Sequence, residues 1–113
     1  MTYYVYLIVS KVKNKTISYV GYTNNLLKRI SLHNSSKGAK FTKGKKWKLI
    51  YYKSYVSKIT AMKEEYALKK NYMLRNKIKK ENRKHWKFQF YYLIKKIFHL
   101  IMLVLYHYLL MTL

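Results

Sequence analysis

The stretch TYYVYLIVSKVKNKTISYVGYT, residues 2–23, decides the fold class. Its first nine residues are dense in aromatic and β-branched side chains, which suit a pleated surface, so residues 3–9 read as a strand. Residues 11–16 are polar, with Asn14 at their centre, and residues 17–22 form a second β-rich run that contains Gly21. A short polar turn between two such runs makes an antiparallel hairpin. The opening apolar run has no basic leader and no small-residue cleavage site, so a strand is expected there rather than a signal peptide.

Outward from the hairpin, Thr23 is placed to cap a short helix over residues 24–33. At about 100° per residue, Leu26, Leu27 and Ile30 cluster on one face, with Arg29 and His33, four apart, at its edge. The polar stretch NSSKGAKFTKGKK, residues 34–46, holds two of the three glycines and reads as a loop. WKLIYYKSY, residues 47–55, reads as a third strand, and Ser57 is placed to cap a longer helix over residues 58–72.

On that helix Ala61, Glu65, Leu68 and Tyr72 share one stripe, with Ile59, Met62, Tyr66 and Met73 on the neighbouring one. Glu65 therefore falls inside the apolar face while Glu64 points to solvent. Burying a carboxylate without a partner is expensive. Lys69, one turn later, offers an i,i+4 ion pair, and a metal ion is the alternative; the residue pattern leaves both open.

Beyond Met73 lies a basic run of Arg75, Lys77, Lys79, Lys80, Arg83, Lys84 and Lys87. Lys95 and Lys96 then precede residues 97–113, which carry no formal charge. The expected plan is a domain over residues 1–80, a basic linker or helix over 81–96 and an apolar tail over 97–113. The expected class is α+β, a small three-stranded antiparallel sheet flanked by helices, with an extra C-terminal apolar helix.

Composition bounds the function. The 113 residues suffice for one ordinary domain. With no Cys, a disulfide scaffold and Cys-ligated zinc or iron–sulfur sites are excluded. A chain that is 50% hydrophobic and 18% aromatic has the material for a core and is not a disordered basic tail. Lys and Arg total 25 against 3 acids, a formal charge of +22, which calls for a polyanion or an anionic membrane as partner. The abundant residues, Lys, Tyr, Ile, Asn and Phe, share A/T-rich codons, so lysine number alone is discounted and the three arginines weigh more.

Four fragments in order resemble the GIY-YIG nuclease family, in particular its small stand-alone bacterial members: YVYLI (4–8), YVGYT (19–23), HNSSKGAKFT (33–42) and TAMKEEYALKK (60–70). The resemblance spans residues 3–70 and stops before the tail. It implies hydrolysis of DNA phosphodiesters with one divalent ion, Mg²⁺ or Mn²⁺, and no small-molecule cofactor. By position it makes Tyr6 the general base for the attacking water, Tyr19 a group orienting water or phosphate, and Arg29 the phosphate clamp. It makes Glu65 the metal ligand, which tips that residue from ion pair to metal, and His33 a further site histidine. Its departures are Tyr4 at the first glycine of the family name, Tyr22 where excision nucleases carry a lysine, and Ser36 where the subgroup often has glycine.

For Tyr6 to work near neutrality its pKa must fall by roughly three units from about 10; Arg29, a metal and the lysine field are expected to lower it. For His33 the bland role is to finish the first helix, where imidazole favours the last carbonyls. Lys37, Lys40, Lys43, Lys45 and Lys46 are expected to track a phosphate backbone without reading sequence. The expected partner is DNA, recognised by shape rather than sequence, in repair or recombination. The rival readings are a non-catalytic DNA-binding remnant and a basic membrane-surface protein. The expected location is cytoplasmic, and residues 97–113, at the lower length limit for a span, are expected to meet a membrane, dock on the domain or a partner protein, or be an out-of-family extension.

Overall fold

In the computed structural model, which describes residues 1–113, the order of elements is β1 (Tyr3–Val12), β2 (Lys15–Thr23), α1 (Leu26–Asn34), a 3-10 turn (Lys40–Thr42), β3 (Lys48–Tyr55), α2 (Lys58–Lys70) and α3 (Tyr72–Thr112). The class is α+β, as the sequence led us to expect. The hairpin is tighter than the polar stretch implied. Val12 pairs with Lys15, and only Lys13 (φ 48°) and Asn14 (φ 67°) make the turn. Positive φ at both central residues matches the right-handed strand twist, and Asn is among the residues that tolerate it best.

The strands lie in the order β2-β1-β3, all antiparallel. β1 is therefore central, and Val5, Tyr6, Leu7 and Ile8 are all buried in succession. Alternation sends them to two faces. Val5 and Leu7 join Val20, Ala61 and Leu68 beneath α2, with Ile78 of α3 packed against them. Tyr6 and Ile8 join Trp47 on the other face, against Leu26 and Ile30 of α1.

Three local expectations are corrected. The cap of α1 is Asn25, whose side chain accepts from the Lys28 amide at 3.2 Å; Thr23 instead accepts from the Asn25 amide. Leu27 is 83% exposed, because Leu26, Ile30 and His33 follow the i, i+4, i+7 line that meets the sheet and Leu27 lies about 100° away. On α2, Ser57 caps as expected by accepting from the Thr60 amide. Only Ala61 and Leu68 are buried, however, with Glu65 partly covered. Tyr72, Ile59, Met62, Tyr66 and Met73 are exposed, since a three-stranded sheet is narrow enough to cover only one stripe of the helix.

The long helix also stops earlier than residue 72. Asn71 closes α2 through its amide and opens α3 by accepting from the Leu74 amide at 3.0 Å. Arg75 donates to the carbonyls of Leu68, at 2.8 Å, and Lys69, satisfying orphan acceptors at the end of α2. The molecule divides into two units, Met1–Lys79 and Lys80–Leu113. The first holds the sheet, α1, α2 and the start of α3. The second is helical to Thr112 and contains no buried residue.

Candidate active site

The sheet face beneath α1 holds Tyr6 and Tyr19 of the hairpin with Trp47, while Tyr3 and Tyr22 pack on the other face. Tyr6 is paired across the ladder with Gly21, and Ile8 with Tyr19. A Cβ at Gly21 would overlap the Tyr6 hydroxyl and the carbon bearing it. The missing side chain is what lets the phenol lie over β2. From above, α1 presents Arg29 and His33 on adjacent turns, their i,i+4 spacing giving both side chains one direction.

These residues are hydrogen bonded. The Tyr6 hydroxyl lies 2.7 Å from His33 Nε2, and Arg29 Nε donates to the same hydroxyl at 3.4 Å. His33 Nδ1 lies 2.9 Å from Thr42 Oγ1, and Thr42 donates its only hydroxyl proton to the Ala39 carbonyl at 2.8 Å. Thr42 must then accept from His33, which assigns the imidazole proton to Nδ1. Nε2 is left with its lone pair, so Tyr6 donates to His33 while accepting from Arg29. The Trp47 indole N–H donates to the Thr42 carbonyl at 2.9 Å, and Asn34 brackets the Trp47 backbone through both of its amide atoms, steadying the 3-10 turn. Tyr6, His33 and Thr42 are fully buried.

His33 is thus more than a helix terminator. The residues that hold it escaped the sequence reading. Thr42 sits nine positions away, and Gly38 packs so closely that a Cβ there would overlap the ring. Both lie in the HNSSKGAKFT fragment, so the motif carried the signal, although its spacing did not disclose the contact.

Tyr19 adds its ring 5.1 Å from His33 and stacks on Phe41 at 6.4 Å and 19°. Hydrogen bonding to Tyr6 lifts the Arg29 guanidinium above its ordinary value despite partial burial, with Tyr19 contributing in the same direction. Arg29 also lines a groove of about 450 Å³ with Tyr3, Tyr22, Thr23, Asn24 and Lys58. Lys58, the first residue of α2, brings an ammonium to the same groove as Tyr22.

The expected lowering of the Tyr6 pKa is overturned. Burial pushes it up to about 12; the Arg29 hydrogen bond and charge oppose this without prevailing, while the charges of Tyr19 and Glu65 add to the rise. His33 is pushed down to about 4, by burial first and the Arg29 charge second. Both shifts keep the Tyr6–His33 pair neutral, with the proton on Tyr6.

Glu65 is partly buried and pairs with Lys69 at 2.5 Å, the partner its helical spacing offered. Its charge adds to the rise at the Tyr6 phenol, yet α2 packs on Val5 and Leu7 while Tyr6 faces α1, so the carboxylate and the phenol belong to elements on opposite faces of the sheet. No cluster of three His, Cys, Asp or Glu side chains accompanies it. One hard carboxylate oxygen donor fits a divalent ion that completes its shell with water and substrate phosphate oxygens, as Mg²⁺ commonly does. It does not fit a dedicated protein cage. Of the loop lysines, Lys37, Lys40, Lys43 and Lys46 are exposed. Lys45 is turned back, donating to the Phe41 carbonyl at 2.9 Å with its ammonium 5.1 Å from that ring. Its head is held locally rather than presented to a backbone.

A family model described as the GIY-YIG catalytic domain matches residues 2–82. The chain belongs to the GIY-YIG family. It is similar to a UPF0213 protein of Oceanobacillus iheyensis, 40% identical over 68 residues that cover 59% of this chain and 76% of that one. A UPF0213 protein of Staphylococcus haemolyticus is 43% identical over 68 residues, covering 59% and 79%. A solution NMR structure of a UPF0213 protein from Bacillus halodurans is 38% identical, covers 61% of this chain and 71% of that chain, and superposes with a TM-score of 0.34. The GIY-YIG match ends at residue 82, so most of α3 lies outside it.

Two expected results arise from this GIY-YIG site. Gly21→Ala should displace the Tyr6 ring from His33 and destabilise the protein by about 1–3 kcal/mol, the usual cost of overpacking. Denaturant titration checks this, and an unchanged midpoint would mean that the ring moves freely. The second concerns acid. Because the folded His33 binds its proton less readily than the unfolded chain does, its contribution is complete above about pH 6.5 and is lost as pH falls towards about 4. Stability should drop by roughly 3 kcal/mol across that window, and His33→Gln should flatten the profile.

Proposed function

We propose that this GIY-YIG protein is a divalent-metal-dependent endonuclease that hydrolyses DNA phosphodiesters, selecting DNA structure rather than sequence, in repair or recombination. The observation that carries the reading is the buried Tyr6–His33 hydrogen bond with Arg29 closing over the phenol. A structural tyrosine needs only one partner; this one is placed between a proton acceptor and a permanent cation.

Arg29 donates Nε to Tyr6 and also hydrogen bonds to Tyr19, leaving its remaining N–H groups for phosphate oxygens, with Lys58 on the same groove. As a phosphate draws the guanidinium outward, the phenol opens to water. The attacking water then gives its proton to the Tyr6 oxygen while Tyr6 passes its own to His33 Nε2. This relay never populates a free phenolate, which the raised Tyr6 pKa disfavours. An anionic phosphate beside the ring favours imidazolium and so raises the basicity that burial depresses. The His33–Thr42 hydrogen bond keeps the correct nitrogen free throughout. An ion on Glu65 would withdraw charge from the scissile phosphate and steady the leaving oxygen.

Exposed Lys37, Lys40, Lys43 and Lys46 supply sequence-neutral, salt-sensitive contacts. Incubation with nicked, branched and linear DNA, with and without Mg²⁺ or Mn²⁺, tests the proposal. Metal-dependent cleavage that favours the nicked or branched forms supports it. Retention of DNA without cleavage under any ion identifies a binding protein that kept the fold.

A further inference from the structure

We propose that the C-terminal part of α3 inserts into an anionic lipid bilayer, making this a membrane-anchored protein. Residues 97–113 carry no formal charge, and an 18-residue window of α3 reaches a mean hydropathy of 1.6 with 0% of it buried. The apolar character is not confined to a stripe. Ile97, Ile101, Leu105 and Leu109 descend one side, and Leu100, Leu103, Val104 and Leu110 occupy the others, all at least half exposed. A helix that is apolar all round suits a core or a membrane, not a water-facing surface. A helix also suits hydrocarbon because its backbone groups are satisfied within the segment.

The flank chooses the lipid. Lys80, Arg83, Lys84 and Lys87 precede an aromatic stretch of Phe88, Phe90, Tyr91 and Tyr92. A polybasic segment beside an apolar helix complements acidic headgroups, and Tyr and Trp favour the interface. Seventeen residues at about 1.5 Å each reach about 25 Å, roughly a turn or so short of a bilayer core. Leu93 and Ile94 extend the apolar run, and Lys95 and Lys96 reach the headgroups by snorkelling. The basic flank favours the cytoplasmic side.

The test is flotation of the full chain, transferred from mild detergent into phosphatidylcholine vesicles with and without roughly a third phosphatidylglycerol. Insertion predicts that the protein floats, stays bound in about 1 M NaCl where surface charges are screened, and resists alkaline carbonate. The L103R/V104R double variant should lose flotation at least about tenfold. Its melting should be unchanged, since both positions are more than half exposed. Replacing Lys80, Arg83, Lys84 and Lys87 by Gln should remove only the preference for anionic lipid. Release by salt would mean peripheral charge binding. A discrete soluble oligomer without lipid, failing to float, would mean that protein covers the helix. Either result overturns the proposal.

Discussion

Tyr6→Phe is expected to slow phosphodiester cleavage by about 10²–10⁴-fold, the usual worth of a positioned acid–base group, with DNA affinity nearly unchanged. The substitution removes one oxygen and nothing else. The ring still fills the space above Gly21, and Arg29 keeps its guanidinium for phosphate. What disappears is the atom through which a proton passes from water to His33 Nε2. The buried imidazole nitrogen also loses its donor, costing about 1–3 kcal/mol of stability, so melting and activity must be read together. Single-turnover rates under saturating protein, measured where the variant remains folded, check the expectation. A rate within about threefold of the parent would remove Tyr6 from the chemistry and leave it a core tyrosine.

Glu65→Gln should eliminate the stimulation of cleavage by Mg²⁺, lowering the rate by about 10³-fold or more, in keeping with the several kcal/mol that a metal ion contributes to a developing charge. Gln preserves the shape but offers a neutral amide in place of a hard anion. The loss of the Lys69 ion pair is worth only about 0.3–0.5 kcal/mol, as for other i,i+4 helix pairs, so the fold should survive. Titrating Mg²⁺ against cleavage rate for parent and variant is the measurement. Parallel titration curves would show that Glu65 serves α2 alone through Lys69. Lys69→Gln sharpens the comparison, because it frees the carboxylate that the pair occupies and should shift the parent's Mg²⁺ midpoint to lower concentration.

How far a feature can be read from the order of residues depends on how local its determinants are. The hairpin was legible because alternation and turn chemistry act over a few residues; Asn14 adopts the positive φ that its residue type tolerates. Ser57 caps α2 for the same reason. The Glu65–Lys69 pair followed from i,i+4 geometry. Leu27 and the stripe of Met62 and Tyr66 misled, because periodicity orders residues around a helix without saying how wide a surface will receive them. Lys45 looked like its neighbours until the fold gave its ammonium a carbonyl and a ring.

By itself, then, the order of residues settled three strands and two helices, the second with its cap, and the family resemblance nominated Tyr6, Tyr19, Arg29, His33 and Glu65, since motifs and periodicities are short-range properties of the chain. Tertiary structure alone decided the protonation of Tyr6 and His33. Burial reversed the sign of the Tyr6 shift, and Thr42, delivered by a 3-10 turn to the far nitrogen of His33, selected the tautomer that accepts from the phenol. Desolvation and tautomer choice depend on atoms brought from distant segments into one small volume, and no spacing along a chain encodes how much water remains there.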